Sequence, residues 1–429
     1  MKQYRTVIKT NKFPQLTRRV FTTADGLKSD NVTAMRFDNN GVLFVGTDKG
    51  LARFDGEKFS PVAIGVKDTA VSMVYFNAEN HMFVGVGNSM LEFDGKKKLS
   101  EKKFSSKLVD IEVDLDGATW ILTESVLYKL GENGYDIEIG VPGKGSCLAV
   151  YKNNKVYVGT AGGGLHALVG KRWHWSELME GVTGILSNTV TCLYMDPVGS
   201  IWVGTDKGVC VYDDNSYWLD HSKIVGLPDA HITGMAIAEN GDKYFSTTTG
   251  LIHQHNGRLS YYGYKRWLPS PNATGVAISP DGSVCVSTDK GISLFETRMI
   301  SLREKANELR AQTEKYNVRH GYVIDRDLEH EGVISTDEGN ILASDNEGLW
   351  TGLYTAALCF EYACTKDPEV RKDAHRSLLA MIKLTEITGI EGFFARAIRY
   401  SDAVDYGTGA RHEWHVTKDA EGRECEWLG

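Results

Sequence analysis

Val42-Leu-Phe-Val-Gly-Thr-Asp-Lys-Gly-Leu51 decides the fold, because its central phrase returns along the chain. The same pattern is read at Met82-Phe-Val-Gly85, Ala118-Thr-Trp-Ile-Leu-Thr123, Val156-Tyr-Val-Gly-Thr160, Ile201-Trp-Val-Gly-Thr-Asp-Lys-Gly208, Lys243-Tyr-Phe-Ser-Thr247 and Val284-Cys-Val-Ser-Thr-Asp-Lys-Gly291. Equivalent positions are Gly46, Gly85, Leu122, Gly159, Gly204, Ser246 and Ser287, spaced by 37 to 45 residues. A period of that size is the mark of a propeller blade.

The first repeat shows why each unit should hold four strands. Thr33 to Asp38 is followed by Asn39-Asn-Gly41, Val42 to Thr47, Asp48-Lys-Gly50, Leu51 to Phe54, Asp55-Gly56 and a last segment from Lys58. The Asn-Gly and Asp-Gly pairs supply the positive φ of tight hairpins. The small residue of the repeated phrase is expected where neighbouring blades crowd together, since glycine inside a strand marks close approach. After Ile292-Ser-Leu-Phe295 the pattern turns helical, so Pro14 to Phe21 is expected to supply the missing strand and remove an open sheet edge. The expected fold is mainly β: a seven-bladed β-propeller over residues 13–297, a linker helix over 298–320 and a helical domain over 321–429.

Thr22-Thr-Ala-Asp-Gly-Leu-Lys-Ser-Asp-Asn-Val-Thr33, placed before a Val-Gly-Thr-Asp-Lys-Gly-Leu phrase, resembles the repeats of the two-component regulator propeller family. Gly181 to Val190 repeats that lead-in, whereas the second and third repeats are degenerate. The resemblance covers roughly 280 residues and implies a sensor propeller, often extracellular and in many members directed at glycan fragments.

Composition narrows the classes. A net charge of −8 opposes a general nucleic-acid role, because phosphate needs a basic face. No apolar run approaches the ~20 residues of a membrane span. Met1 to Lys12 lacks the apolar core of a secretory signal, so the chain reads as cytoplasmic if complete and as extracellular if it is part of an exported protein. Seven scattered cysteines suggest no disulfide framework.

Beyond Thr297 the periodicity becomes helical. Helices are expected over about 299–316, 347–364 and 367–388, the second with Leu349, Leu353, Ala357 and Phe360 on its buried face. Asp367 and Pro368 mark the third helix start, and Gly389 its end. Asp345-Asn-Glu-Gly-Leu-Trp-Thr351, the helical hairpin and Thr388-Gly-Ile-Glu-Gly-Phe-Phe-Ala-Arg-Ala-Ile-Arg399 resemble α/α-toroid domains of the six-hairpin glycosidase type. That resemblance spans about 100 residues and implies a carbohydrate site.

Asp345, Glu347 and Arg396 are therefore candidate catalytic residues, as acid, base or hydroxyl acceptors. Ser344 and Glu347 also have the spacing of a capping box. Trp173, Trp175, Trp218, Tyr262, Trp267, Trp350 and Trp414 are candidate sugar-stacking platforms, with core packing as the competing role, above all for Trp350. His412-Glu-Trp-His415 lacks the spacing of a helical zinc pair, and no metal or cofactor is expected. The leading expectation is a ligand-binding or sensing propeller directed at an oligosaccharide or other small ligand. The alternatives are a glycoside hydrolase or polysaccharide lyase acting through the helical domain, and a scaffold for a protein partner.

Overall fold

The computed structural model describes residues 11–429 except 67, 115–116, 132–133, 152–154, 177–183, 197–198, 213–217, 221–228, 328, 331–332, 335–339 and 402–413, with backbone alone at 151, 174–176, 218–220, 327, 329–330, 333–334 and 340–342. Two compact units are present, Gln15–Arg298 and the described part of 299–429 with the residues before Gln15.

The first unit is a β-propeller, and its described residues form seven four-stranded antiparallel sheets, numbered here as blades in chain order. Their first strands are Val32–Phe37, Val71–Phe76, Leu108–Val113, Gly145–Tyr151, Val190–Met195, Ile232–Ile237 and Ala273–Ile278. In blades one to six the four strands follow sequence order. In blade seven the outermost strand is Phe13–Phe21, paired with Gly291–Ile300.

Hydroxyl groups tie consecutive blades together. Thr33 donates to the Val71 carbonyl at 2.6 Å, Ser146 to Val190 at 2.6 Å and Thr233 to Ala273 at 2.6 Å. Thr274 of blade seven donates to the Val32 carbonyl of blade one at 3.3 Å, linking the two ends of the repeat array. Apolar layers fill the space between blades: Leu51, Val71, Val74, Val84 and Leu91 pack together between the first two.

The repeated small residue lies where the blades are tightest. A Cβ on Gly204 would fall 2.5 Å from Cys192 Sγ and 3.0 Å from Ile232 Cγ2 of the next blade. A Cβ on Gly159 would meet Cys147 Sγ at 2.5 Å and Val190 Cγ1 at 2.6 Å. Gly204→Val should therefore destabilise the propeller by roughly 1–3 kcal/mol through overpacking. Urea denaturation measures this, and an unchanged midpoint would show that the crowding is relieved at no cost.

The second unit holds helices α1 (Leu302–Tyr316), α2 (Glu347–Thr365) and α3 (Pro368–Glu386), with a three-stranded antiparallel sheet in which Glu424–Leu428 lies between Ala397–Arg399 and Trp414–Lys418. Ser301 and Glu304 cap α1 reciprocally, and Asp367 caps α3 ahead of Pro368. The buried stripe of α2 differs from the expected one. Glu347, Thr351, Thr355 and Leu358 face inward, whereas Leu349 (56% exposed), Leu353 (59%) and Phe360 (75%) face solvent. Small residues allow close approach of α2 to α3, whose buried face is Val370, Ala374, Ser377, Ala380 and Leu384. The threonine hydroxyls are satisfied by carbonyls one turn back, Thr351 to Glu347 at 2.6 Å and Thr355 to Thr351 at 2.7 Å. Glu314 of α1 accepts two 2.7 Å bonds from Arg376 and one from the Tyr354 hydroxyl, fixing all three helices. No helix among the described residues is long and apolar enough to cross a membrane.

Candidate functional site

The innermost strand of each blade carries one residue that pairs with the residue two before the repeated position (Gly46 in blade one, Gly159 in blade four) on the neighbouring strand. Read from the register, these residues are Arg36, Tyr75, Glu112, Ala149, Tyr194, Ala236 and Ala277. Polar or aromatic side chains thus stand on blades one, two, three and five, and methyl groups on four, six and seven. The small residues leave a cavity of about 650 Å³, lined by Arg36, Glu112, Ala149, Tyr194, Ala236 and Ala277 among others. That is the size of a small-ligand pocket, with polar groups converging among apolar side chains.

Its electrostatics are unusual for a structural core. Glu112 keeps accessible surface toward the cavity, yet protein surrounds it on nearly every side; this confinement raises its pKa to about 7 against the attraction of Arg36. Burial likewise raises Asp110 to about 6, although the Leu148 amide donates to its carboxylate at 3.0 Å. Burial, with Glu112 adding to it, pushes the Tyr75 phenol up to about 12. The Arg36 guanidinium sits 5.1 Å from the Tyr75 ring centroid. A fixed cation beside two carboxyl groups able to hold protons near neutral pH can both donate to and accept from a polar ligand.

The expected catalytic residues occupy the second unit. Asp345 and Arg396 form an ion pair at 2.7 Å, at the rim of a cavity of about 510 Å³ lined otherwise by Asn346, Gly348, Leu349, Met381, Leu384, Thr385, Phe394 and Ala395. The lining holds no second carboxylate. Glu347 points into the interior, 1% exposed; one oxygen accepts the Ser344 amide at 3.2 Å and the other, Oε2, has no partner among the described residues. Burial raises its pKa to about 8. Glu347 thus takes up half of a capping box, since Ser344 is not the cap residue and Asn346 makes no side-chain cap bond.

The aromatic candidates scatter. Tyr262 and Trp267 pack edge to face at 5.0 Å and both contact Phe295, as partly buried members of the cluster between blades six and seven. Trp173 packs against the cluster of blades three and four and donates its indole N–H to the Gly140 carbonyl at 2.8 Å. The side chains of Trp175 and Trp218 lie outside the described residues. Trp350 is 40% exposed rather than packed in the core. Trp414 lies under the Arg399 guanidinium, 4.2 Å from its ring centroid. His412 and Glu413 are outside the described residues, and His415 stacks on Trp427 at 4.2 Å. The described aromatics therefore do not form one platform, and no sequence signal singled out the residues of the axial cavity.

Comparison with known proteins supports the propeller reading. The family described as two-component regulator propeller matches residues 184–207, the lead-in and first two strands of blade five. The extracellular domain of a hybrid two-component system from B. thetaiotaomicron is similar over 72% of this chain and 43% of its own, at 17% identity and a TM-score of 0.58. A second such extracellular domain from the same organism is similar over 66% of this chain and 39% of its own, at 18% identity and TM-score 0.53. Virginiamycin B lyase from Staphylococcus aureus is similar over 67% of this chain and 100% of its own, at 11% identity and TM-score 0.54. The chain thus spans less than half the length of the sensor domains it resembles. No curated protein matches the sequence.

Proposed function

We propose that this chain is a sensing or ligand-binding propeller whose seven sheets are its full set of blades and whose axial cavity takes the end of an oligosaccharide bearing a carboxylate. The carrying observation is that Arg36, Glu112 and Tyr194 line the cavity together with three alanines, which leaves space and polarity on the same axis. Arg36 would pair with the ligand carboxylate, the raised Glu112 carboxyl would bond a hydroxyl, and the Tyr194 ring would add an apolar face. The similarity to sensor extracellular domains and the likeness of 345–399 to glycosidase-type segments agree with a carbohydrate ligand. The hydrolase alternative would need a pair of carboxylates across a cleft, and the cavity beside Asp345 offers none among the described residues.

Calorimetric titration with uronic-acid oligosaccharides tests the reading. Saturable binding is expected, weakened at least about tenfold in Arg36→Ala because a charged hydrogen bond is lost. Binding of equal strength in Arg36→Ala would remove the cavity from the account.

A further inference from the structure

Blade six carries a second cluster that the axial site does not use. Asp242 closes the turn before the strand Lys243–Thr247, and His253 and His255 lie on the strand Gly250–His255. Their two-residue spacing puts both imidazoles on one face of the sheet. His253 Nε2 lies 3.1 Å from Asp242 Oδ2, and His255 Nδ1 lies 2.5 Å from Asp242 Oδ1. One donor atom from each of the three residues falls within 4.8 Å of the others, an arrangement no other His, Cys, Asp or Glu trio among the described residues achieves.

We propose that Asp242, His253 and His255 bind a divalent transition-metal ion of the zinc class through two imidazole nitrogens and one carboxylate oxygen. Zinc–nitrogen and zinc–oxygen bonds of roughly 2.0–2.2 Å put tetrahedral ligands roughly 3.3–3.6 Å apart, so His253 at 3.1 Å is already near that spacing, and the other donors, all within 4.8 Å of one another, need only small shifts. Three protein ligands leave further positions for water or an external ligand, and His255 is 56% exposed, so an ion can enter from solvent.

The surroundings hold the ligands in place. Tyr244 stacks on His253 with ring centroids 4.4 Å apart and planes 4° apart. His255 is followed by an Asn256-Gly257 turn with both residues at positive φ, 47° and 75°, as a tight hairpin requires. Asn256 Nδ2 approaches His255 Nε2 at 2.9 Å; with its amide oriented the other way, its oxygen accepts the Nε2 proton and leaves Nδ1 free for the metal. Asp242 is 9% exposed, and its two carboxylate oxygens each lie against one of the imidazoles.

The register shows that this is a property of blade six. At the position of His253 the other blades carry Arg53, Glu92, Lys129, Ala167, Val211 and Leu294. Blade two has a related pair, His81 and Glu92 at 3.4 Å, without a converging third donor.

Zinc titration of the chelator-treated full chain by calorimetry tests the proposal, in a Cys359→Ser/Cys364→Ser background because those exposed thiols could take zinc themselves. One equivalent is expected to bind, and His255→Ala, at an exposed position where folding is not at stake, should weaken it about a hundredfold. Zinc should also raise the unfolding temperature of the parent and not of His255→Ala. Absence of saturable binding, or equal affinity in His255→Ala, would overturn the site. Cobalt(II) gives an independent readout: a visible absorption band in the parent that is missing in His253→Ala supports the site, and a band that persists overturns it.

Discussion

Removal of residues 1–21 is expected to abolish cooperative unfolding of the propeller or lower its midpoint by more than about 10 °C, because it strips the outer strand from blade seven. Without Phe13–Phe21, the strand Gly291–Ile300 becomes an open edge with unpaired backbone groups, a template for aggregation. Two kinds of interaction are lost with it. Arg19 makes a two-pronged pair with Glu296, at 2.8 and 3.0 Å. Phe21, 5% exposed, packs edge-on against Phe54 at 5.0 Å and Phe59 at 5.6 Å in blade one. The ion pair is partly exposed and contributes little. The phenyl ring matters more: Phe21→Ala alone should cost about 3–5 kcal/mol. Circular dichroism melting and light scattering check both variants, and a truncated chain that melts like the parent would show that the closing strand is dispensable.

Glu347→Gln is expected to remove a large pH dependence of stability from the second unit. The Glu347 carboxyl is raised from an ordinary 4.5 to about 8 by burial, so between those pH values the unfolded chain has released a proton that the folded chain retains. Stability therefore falls as pH rises through that window and levels off above it. The full loss is on the order of 5 kcal/mol, from about 1.4 kcal/mol per pH unit over the shift from 4.5 to about 8. Asp110 and Glu112, also raised, act in the same direction in the propeller, so the difference between parent and Glu347→Gln isolates the one carboxyl. Between pH 5 and pH 8 the parent should lose more stability than the variant, and the extra loss read from denaturant curves is the contribution of Glu347. Parallel behaviour of the two proteins would mean that Glu347 ionises freely in the folded state.

The propeller could be read from the sequence because its determinants are local and repeated. Val-Gly-Thr-Asp-Lys-Gly writes a strand, a crowded glycine and a hairpin in six residues, and the crowding predicted for Gly46, Gly159 and Gly204 is met by Val71, Val190 and Ile232 of the following blades. The axial ring was hidden for a physical reason. All seven first strands carry a register irregularity near their start, at Val32/Ala34 in blade one and Ala273/Gly275 in blade seven, for example. A bulge shifts the alternation by one, so counting faces from the strand start assigns Arg36 and Glu112 to the wrong side. In α2 two stripes compete: the apolar one through Leu349 and Leu353 looks like a core face, but the polar one through Thr351 and Thr355 fits closely against α3. His253 and His255 do not stand out in the sequence, because two histidines two residues apart become a cluster only when the hairpin brings Asp242 beside them.

The central claim is that the axial cavity holds the ligand, and filling that cavity is its most direct test. Ala277 lines the cavity with Arg36, Glu112 and Tyr194, so Ala277→Trp is expected to fill the space with an indole. Titration of this variant with the oligosaccharide that binds the parent should show no saturable binding, with the melting temperature unchanged. Binding of undiminished strength in Ala277→Trp would contradict the account.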